Sequence, residues 1–248
     1  MLFRSVHVHF RDQRPGLGHL PSWDPAVAGD IVAAIRARCP ELLLNFSTGV
    51  MSPDISGPVS CLEACRPEIA ALNAGSLNYL KLRRSGQWAW PPLLFANPVE
   101  KIAAFASKMA EFNIAAECEC FDTGIVRSID LLHRAGVLQA PLHVSFVMGV
   151  ASGMPAKAAW LPLLMDELPA DAHWQTIAIG RQEVWALHKR CAELGGHLRT
   201  GLEDTFYLPD GSKATSNGPL IEALANAARQ AGREVASIAQ ARALWGLA

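Results

Sequence analysis

Short apolar runs alternate with longer amphipathic stretches along the whole chain. The short runs predict strands and the longer stretches predict helices. The predicted strands span residues 5–10, 41–46, 69–75, 115–121, 142–148, 174–179 and 196–202. Because strands that alternate with helices need crossover connections, the pattern predicts a parallel sheet.

Helix-start and helix-stop signals support this alternation. Asp24-Pro25 and Asn97-Pro98 each place a capping side chain before a proline, which is typical of a helix start. Further helices are predicted over 124–135, 156–168, 180–194 and 219–231. Three of them stop at a glycine that favours the left-handed backbone of a helix end; these are Gly136, Gly195 and Gly232.

The fold prediction is a TIM-type (β/α)₈ barrel. The chain has 248 residues, and about 250 is the usual length of such a barrel. No linker or low-complexity stretch divides it, so we expect one domain over 1–248. A doubly wound open sheet is disfavoured, because no GxGxxG follows the first strand and polar residues end nearly every strand. Only seven strand–helix units are found, so we expect the first βα unit to be absent, unless two units have been merged.

Composition narrows the class of protein. Half of the residues are hydrophobic, 18% are charged and the formal net charge is −1, which excludes a disordered chain and a basic nucleic-acid binder. A chain of this length needs no metal to fold, so a metal would serve chemistry. The six cysteines form no CxxC pair and are expected to be reduced. Without a signal-like start or a membrane-length apolar run, we expect a cytoplasmic protein.

His7-Val8-His9 is the sharpest local feature. Residues i and i+2 of a strand point to the same face, so both imidazoles project together. Two such imidazoles are half of a catalytic zinc site, which takes three protein ligands and leaves one position open. The alternative is a pair of half-exposed histidines near a terminus.

A second candidate is the sequence GGHLRTGLED over 195–204. It places Arg199, Glu203 and Asp204 at the carboxyl end of a predicted strand, where barrel active sites lie. One acid is suited to coordinate a cation, while the other, paired with Arg199, stays ionised and takes a proton. The alternative is a loop of solvated charges.

The segment ECEC over 117–120 combines two chemistries. Glu117 and Glu119 face one side of a strand, and the two cysteines face the other. Against a barrel wall the cysteines would pack under helices and the carboxylates would enter the interior, which is costly unless a cation meets them. We favour Glu119, nearer the strand end, as a site residue. A Cys-x-Cys metal site is the rival interpretation.

Two hydroxyl-bearing turns follow predicted strands. They place Ser47, Thr48 and Ser76 on the same rim, where small residues let a carboxylate ligand approach closely. Turns of this composition are common in loops, so they are weak evidence by themselves.

The order of the motifs resembles a known family. HVHFRD, STG, LNAGSLN, ECECFDTG, MGVASG, IGR and RTGLED follow one another, and LPDG, SN and ARALWG come after them. This series is similar to the β-keto acid cleavage enzymes, also known as 3-keto-5-aminohexanoate cleavage enzymes. The resemblance covers nearly the whole chain.

The resemblance implies a zinc-binding (β/α)₈ barrel that condenses a β-keto acid with acetyl-CoA. The products are acetoacetate and a new acyl-CoA, formed through a metal-stabilised enolate. It also implies an acyltransferase of amino acid catabolism that forms homo-oligomers. By motif, the zinc ligands are His7, His9 and Glu203, and the base is Asp204 with Arg199 as its partner. The keto acid contacts include Ser47, Ser76 and a glutamate of the ECEC segment, either Glu117 or the favoured Glu119.

The chain departs from the family pattern at its start. Family members reach the HxH strand through an additional strand and helix, where this chain has MLFRS. That unit carries a glutamate that reaches the substrate in relatives, and its absence would leave the first strand as an open edge. An inactive barrel fragment is therefore one alternative. A second alternative is a zinc-dependent barrel aldolase or hydrolase that uses the same site but needs no acetyl-CoA.

Overall fold

A computed structural model describes residues 4–247. The strands are β1 (Ser5–Val8), β2 (Leu43–Phe46), β3 (Ile69–Asn73), β4 (Leu77–Tyr79), β5 (Leu93–Phe95), β6 (Ala115–Cys120), β7 (His143–Met148), β8 (His173–Ala178) and β9 (His197–Arg199). The helices are α1 (Pro25–Arg38), α2 (Ser56–Cys65), α3 (Val99–Glu111), α4 (Thr123–Arg134), α5 (Leu161–Asp166), α6 (Val184–Glu193), α7 (Asn217–Gln230) and α8 (Ile238–Leu244). A 3-10 turn, Ala158–Trp160, precedes α5.

Seven strands form one parallel sheet in the order β1-β2-β3-β6-β7-β8-β9. Each of the seven predicted strands is one strand of this sheet, so the predicted parallel α/β fold of barrel type is confirmed. The sheet curls into an incomplete barrel with helices outside it. β1 and β9 are its two edges within the described residues.

The helix ends follow the local signals with one exception. Asp24 accepts a hydrogen bond from Ala26 N at 2.9 Å, and Asp122 accepts one from Ile125 N at 2.8 Å. The glycines after α4, α6 and α7 have φ of 75°, 88° and 75°, as predicted. Asn97, however, does not cap α3, whose N-cap position is Pro98.

Asn97 is instead buried at the base of a hairpin that was not predicted from the sequence. Its backbone N–H donates to Ser76 Oγ at 2.8 Å and its side chain to Gly75 O at 3.2 Å. These bonds join the ends of the hairpin formed by β4 and β5, which pair antiparallel. The proline-rich composition between these strands hid them, because proline weakens the strand pattern.

The two faces of the sheet carry different residues. Cys118 and Cys120 are buried in the core between the sheet and the outer helices, as predicted. A smaller cluster built on Leu43, Ile69 and Ala241 fills the amino-terminal end of the interior, where α8 covers it. This plug lies opposite the carboxyl end of the strands, where complete barrels carry their active sites.

No helix among residues 4–247 combines the length and the apolar character needed to cross a membrane.

A buried histidine in α6 predicts how stability depends on pH. His188 is fully buried and neither of its ring nitrogens has a hydrogen-bond partner among the described residues. Burial lowers its pKa from 6.5 to about 4. The unfolded chain therefore takes up a proton before the folded protein does, and this histidine's contribution to stability is lost as the pH falls from 6.5 towards 4.

We expect His188→Leu to lose less stability on acidification than the unsubstituted protein. Between pH 7 and pH 5 the difference should be about 2 kcal/mol. Urea unfolding of chelator-treated protein at both pH values measures it. His19→Gln, at an exposed position, serves as the control, and an equal pH dependence in His188→Leu would refute the assignment.

Candidate metal and proton-transfer site

Two histidines and a glutamate meet at the carboxyl end of the sheet. His7 Nε2 lies 3.2 Å from His9 Nε2, and His9 Nε2 lies 2.7 Å from Glu203 Oε1. Their ligand atoms all lie within 4.8 Å of one another. His7 lies on β1, His9 directly follows it, and Glu203 follows β9. The curl of the sheet therefore brings its two edges to one site.

This geometry fits a divalent cation. A tetrahedral zinc ion with ligand bonds of about 2.0–2.2 Å sets its ligand atoms about 3.3 Å apart, close to the separation of the two imidazole nitrogens. Imidazole must be neutral to bind a metal. Burial lowers the pKa of His7 well below its usual value, and Arg199 lowers it further. The neutral form of His7 is thus favoured.

Arg199 holds three carboxylates around its guanidinium. Its Nη2 donates to Glu203 Oε2 at 2.9 Å and its Nη1 donates to Glu119 Oε1 at 3.3 Å. Its Nε lies 3.7 Å from Asp204 Oδ2. Burial by itself would lower the pKa of Arg199, but the surrounding carboxylates, Asp204 first among them, raise it. The guanidinium is therefore a permanent charge.

Glu203 and Asp204 are adjacent in sequence but differ in acidity. Burial would raise the pKa of Glu203, yet its hydrogen bond with His9 and the charge of Arg199 lower it to about 2. Burial dominates at Asp204 and raises its pKa to about 7, although Arg199 opposes the shift. Two carboxylates with separated pKa values can take different chemical tasks.

Glu117 and Glu119 both enter the interior, at different depths. Glu119 contacts Arg199 near the strand end, and burial raises its pKa to about 8. Glu117 is completely buried and accepts hydrogen bonds from Asn45, from Ser145 at 2.5 Å and from Gln175 at 2.5 Å. Both carboxylates also lie within 4.8 Å of a His7 nitrogen.

These three polar partners of Glu117 were not predicted from the sequence. Asn45 and Ser145 lie in the buried strands β2 and β7 between apolar or aromatic neighbours, and Gln175 lies in β8 between Trp174 and Thr176. A single polar residue within a buried strand is the signal that would have found Asn45 and Ser145, because a buried polar group needs a partner.

The three predicted hydroxyl residues follow strand ends, as expected, but they differ in burial and in hydrogen bonding. Ser47 is buried directly after β2. Thr48 donates its hydroxyl to Ala71 O at 2.5 Å, so that proton is committed to the backbone. Ser76 is exposed, and its oxygen accepts the hydrogen bond from Asn97 N. Contact of these residues with a substrate stays a prediction.

Comparison with known proteins identifies the family. A family model described as beta-keto acid cleavage enzyme matches residues 4–247. The chain is 32% identical over 252 residues to a 3-oxoadipate:acetyl-CoA acetyltransferase of Cupriavidus necator, covering 98% of this chain and 80% of that protein. It is 31% identical over 246 residues to a 3-keto-5-aminohexanoate cleavage enzyme of Acetoanaerobium sticklandii, covering 98% and 83%.

Solved structures support the fold. The apo structure of ObcA superposes with a TM-score of 0.74 at 18% identity, over 98% of this chain. The match covers 61% of the ObcA chain, so this chain spans less than two thirds of that protein's length.

Removing the Arg199 charge should destabilise the fold. We expect Arg199→Met to lower the free energy of unfolding by about 3–5 kcal/mol, because it leaves buried carboxylates without their cation. Arg127→Met is the matched control: Arg127 forms an exposed pair with Glu167 at 3.1 Å, and its loss should cost less than about 1 kcal/mol. Urea unfolding compares the two, and equal losses would contradict the role given to Arg199.

Proposed function

This chain belongs to the β-keto acid cleavage enzyme family, and on that premise we propose that it condenses a β-keto acid with acetyl-CoA. The products are acetoacetate and a new acyl-CoA. The named activities of its relatives, an acetyl-CoA acetyltransferase and a 3-keto-5-aminohexanoate cleavage enzyme, support this reaction. We also propose, from the family resemblance, a cytoplasmic homo-oligomer with one barrel domain.

The cation that we propose is zinc, held by His7, His9 and Glu203. Two neutral imidazoles and one carboxylate leave net positive charge and an open coordination position. When bound by these residues, a zinc ion would supply Lewis acidity that stabilises negative charge on the substrate. The convergence of the three side chains, at 3.2 Å and 2.7 Å between their ligand atoms, is the observation that carries the proposal.

Asp204 is the proposed base. It is buried beside the cluster, and its pKa of about 7 matches a group that must accept a proton near neutral pH. Its task is to remove the proton from the carbon between the ketone and the carboxylate. Arg199, 3.7 Å away, favours the ionised form of Asp204 and positions it.

Residues of the rim are proposed to bind the keto acid. Ser47 and Ser76 offer hydroxyl groups to its carboxylate. Thr48, which we also propose as a substrate-binding residue, anchors the turn after β2 through its hydrogen bond to Ala71 O on β3. Glu119 lies beside Arg199 on the inner wall, where it faces the substrate.

The reaction then needs no further reagent. The enolate carbon forms a bond to the acetyl carbonyl of acetyl-CoA, and the CoA thiolate leaves. That thiolate attacks the original ketone carbon, and the bond between this carbon and the enolate-derived carbon breaks. The released enolate takes back the proton that Asp204 removed, acetoacetate departs, and the remaining acyl group is bound to CoA.

Metal analysis together with product analysis tests the proposal. We expect purified protein to contain about one zinc per chain and to release acetoacetate from at least one member of a β-keto acid panel, only with acetyl-CoA. Zinc without any dependence on acetyl-CoA would indicate an aldolase or hydrolase instead. Absence of zinc from protein expressed with zinc would refute the metal site.

Two substitutions separate metal binding from proton transfer. We expect Asp204→Asn to keep its zinc and to lose about 10²–10⁴-fold in kcat, because the amide cannot take the proton. His9→Ala should lose both zinc and activity. An Asp204→Asn enzyme with unchanged kcat would show that another group is the base.

A further inference from the structure

Two buried polar atoms near the site lack a partner. Neither His7 Nδ1 nor Asn45 Oδ1 has a hydrogen-bond partner among the described residues. His7 and Asn45 lie opposite each other in the register of β1 and β2, so their side chains project from the same face of the sheet. One atom can donate a hydrogen bond and the other can only accept one.

Glu117 decides which way the Asn45 amide faces. A carboxylate accepts hydrogen bonds, and Glu117 also receives them from Ser145 and Gln175. Asn45 must therefore turn its Nδ2 towards Glu117, as it does in the structure. The opposite orientation would set two oxygens against each other. Asn45 Oδ1 therefore lies on the side of the amide that faces away from Glu117.

We propose that Asn45 is a positioning residue for the metal site, set by Glu117 and acting on His7. Its Oδ1 accepts the Nδ1 proton of His7, which leaves the lone pair on His7 Nε2 for the cation. The inference rests on the proposed zinc site. A ligand histidine commonly donates its second nitrogen to such a partner, which sets its tautomer and ring orientation.

The geometry favours this pairing. His7 and Asn45 are partners in the register of β1 and β2, and His7 Nδ1 and Asn45 Oδ1 are both buried without another hydrogen-bond partner among the described residues. His7 Nε2, on the other side of the ring, lies 3.2 Å from His9 Nε2, so a hydrogen bond at Nδ1 would fix the ring with Nε2 towards the proposed cation.

Zinc affinity tests the role of Asn45. A chromophoric chelator competing for zinc should report about 10–100-fold weaker binding in Asn45→Leu and in Glu117→Gln than in the unsubstituted protein. Because the two residues act in series, the double variant should bind no more weakly than the weaker single variant. Ser145→Ala is the matched control: it removes another hydrogen bond of Glu117 and should leave zinc affinity unchanged.

Nitrogen NMR of the His7 ring tests the same idea without metal. In the chelator-treated unsubstituted protein we expect the Nδ1–H tautomer, assigned by comparison with His7→Gln. In Glu117→Gln the new amide can donate to Asn45, so Asn45 turns and His7 should change to the Nε2–H tautomer. This measurement decides the matter even if Asn45→Leu fails to fold.

The outcomes distinguish this inference from the proposed function. An Nε2–H tautomer in the unsubstituted protein overturns the role of Asn45, and so does zinc affinity that is unchanged in Asn45→Leu. A loss in Ser145→Ala equal to that in Glu117→Gln overturns it as well. The Nδ1–H tautomer in a protein that binds no zinc would support the contact between His7 and Asn45 while refuting the zinc site.

Discussion

The buried guanidinium of Arg199 is the interaction on which the site depends. Four carboxylates, those of Glu117, Glu119, Glu203 and Asp204, lie near enough to raise its pKa. Gathering so much negative charge in a partly buried space is unfavourable unless a cation balances it. Because Arg199 lies on an edge strand and Glu119 on a central one, this balance also connects β9 to the opposite inner wall.

Arg199 lies beside both Glu203 and Asp204, but the pKa values of these two carboxyl groups differ. Glu203 donates no proton to the site, since its pKa is about 2, whereas Asp204 has a pKa of about 7. The difference follows from contact and burial: Glu203 is directly hydrogen-bonded to Arg199 and His9, while Asp204 is more buried and farther from the guanidinium. Adjacent residues thus have pKa values shifted in opposite directions, because one carboxylate forms direct hydrogen bonds and, among the described residues, the other is buried without them.

The interior of the curled sheet changes character along its length. An apolar plug closes the amino-terminal end, and polar side chains from neighbouring strands form a network around Glu117 above it. Such a network is favourable only when its members are satisfied. Two atoms without a hydrogen-bond partner among the described residues, His7 Nδ1 and Asn45 Oδ1, lie where this network meets the proposed metal ligands. The packing of the interior is therefore connected to the proposed site at the carboxyl end of the strands.

Local sequence determined the elements and the direction of their side chains. Alternation along a strand is set by backbone geometry, so His7 and His9 on one face, and Glu117 and Glu119 opposite two cysteines, were predictable from spacing. Helix ends at Asp24 and Asp122 were predictable because a cap is a contact within one turn. The hairpin of β4 and β5 and the role of Asn97 at its base were not predicted, because the prolines between the two strands obscure the strand pattern.

Only the tertiary structure decided which of these residues meet. Glu203 lies 194 positions from His9 in sequence, and no local rule sets the curl that brings the two edges of the sheet together. The acidity of Glu203, Asp204 and Glu119 also came from the fold, since burial and the approach of Arg199 are properties of packing. Spacing in the sequence specifies the direction of a side chain, whereas its neighbours and its charge state depend on the path of the whole chain.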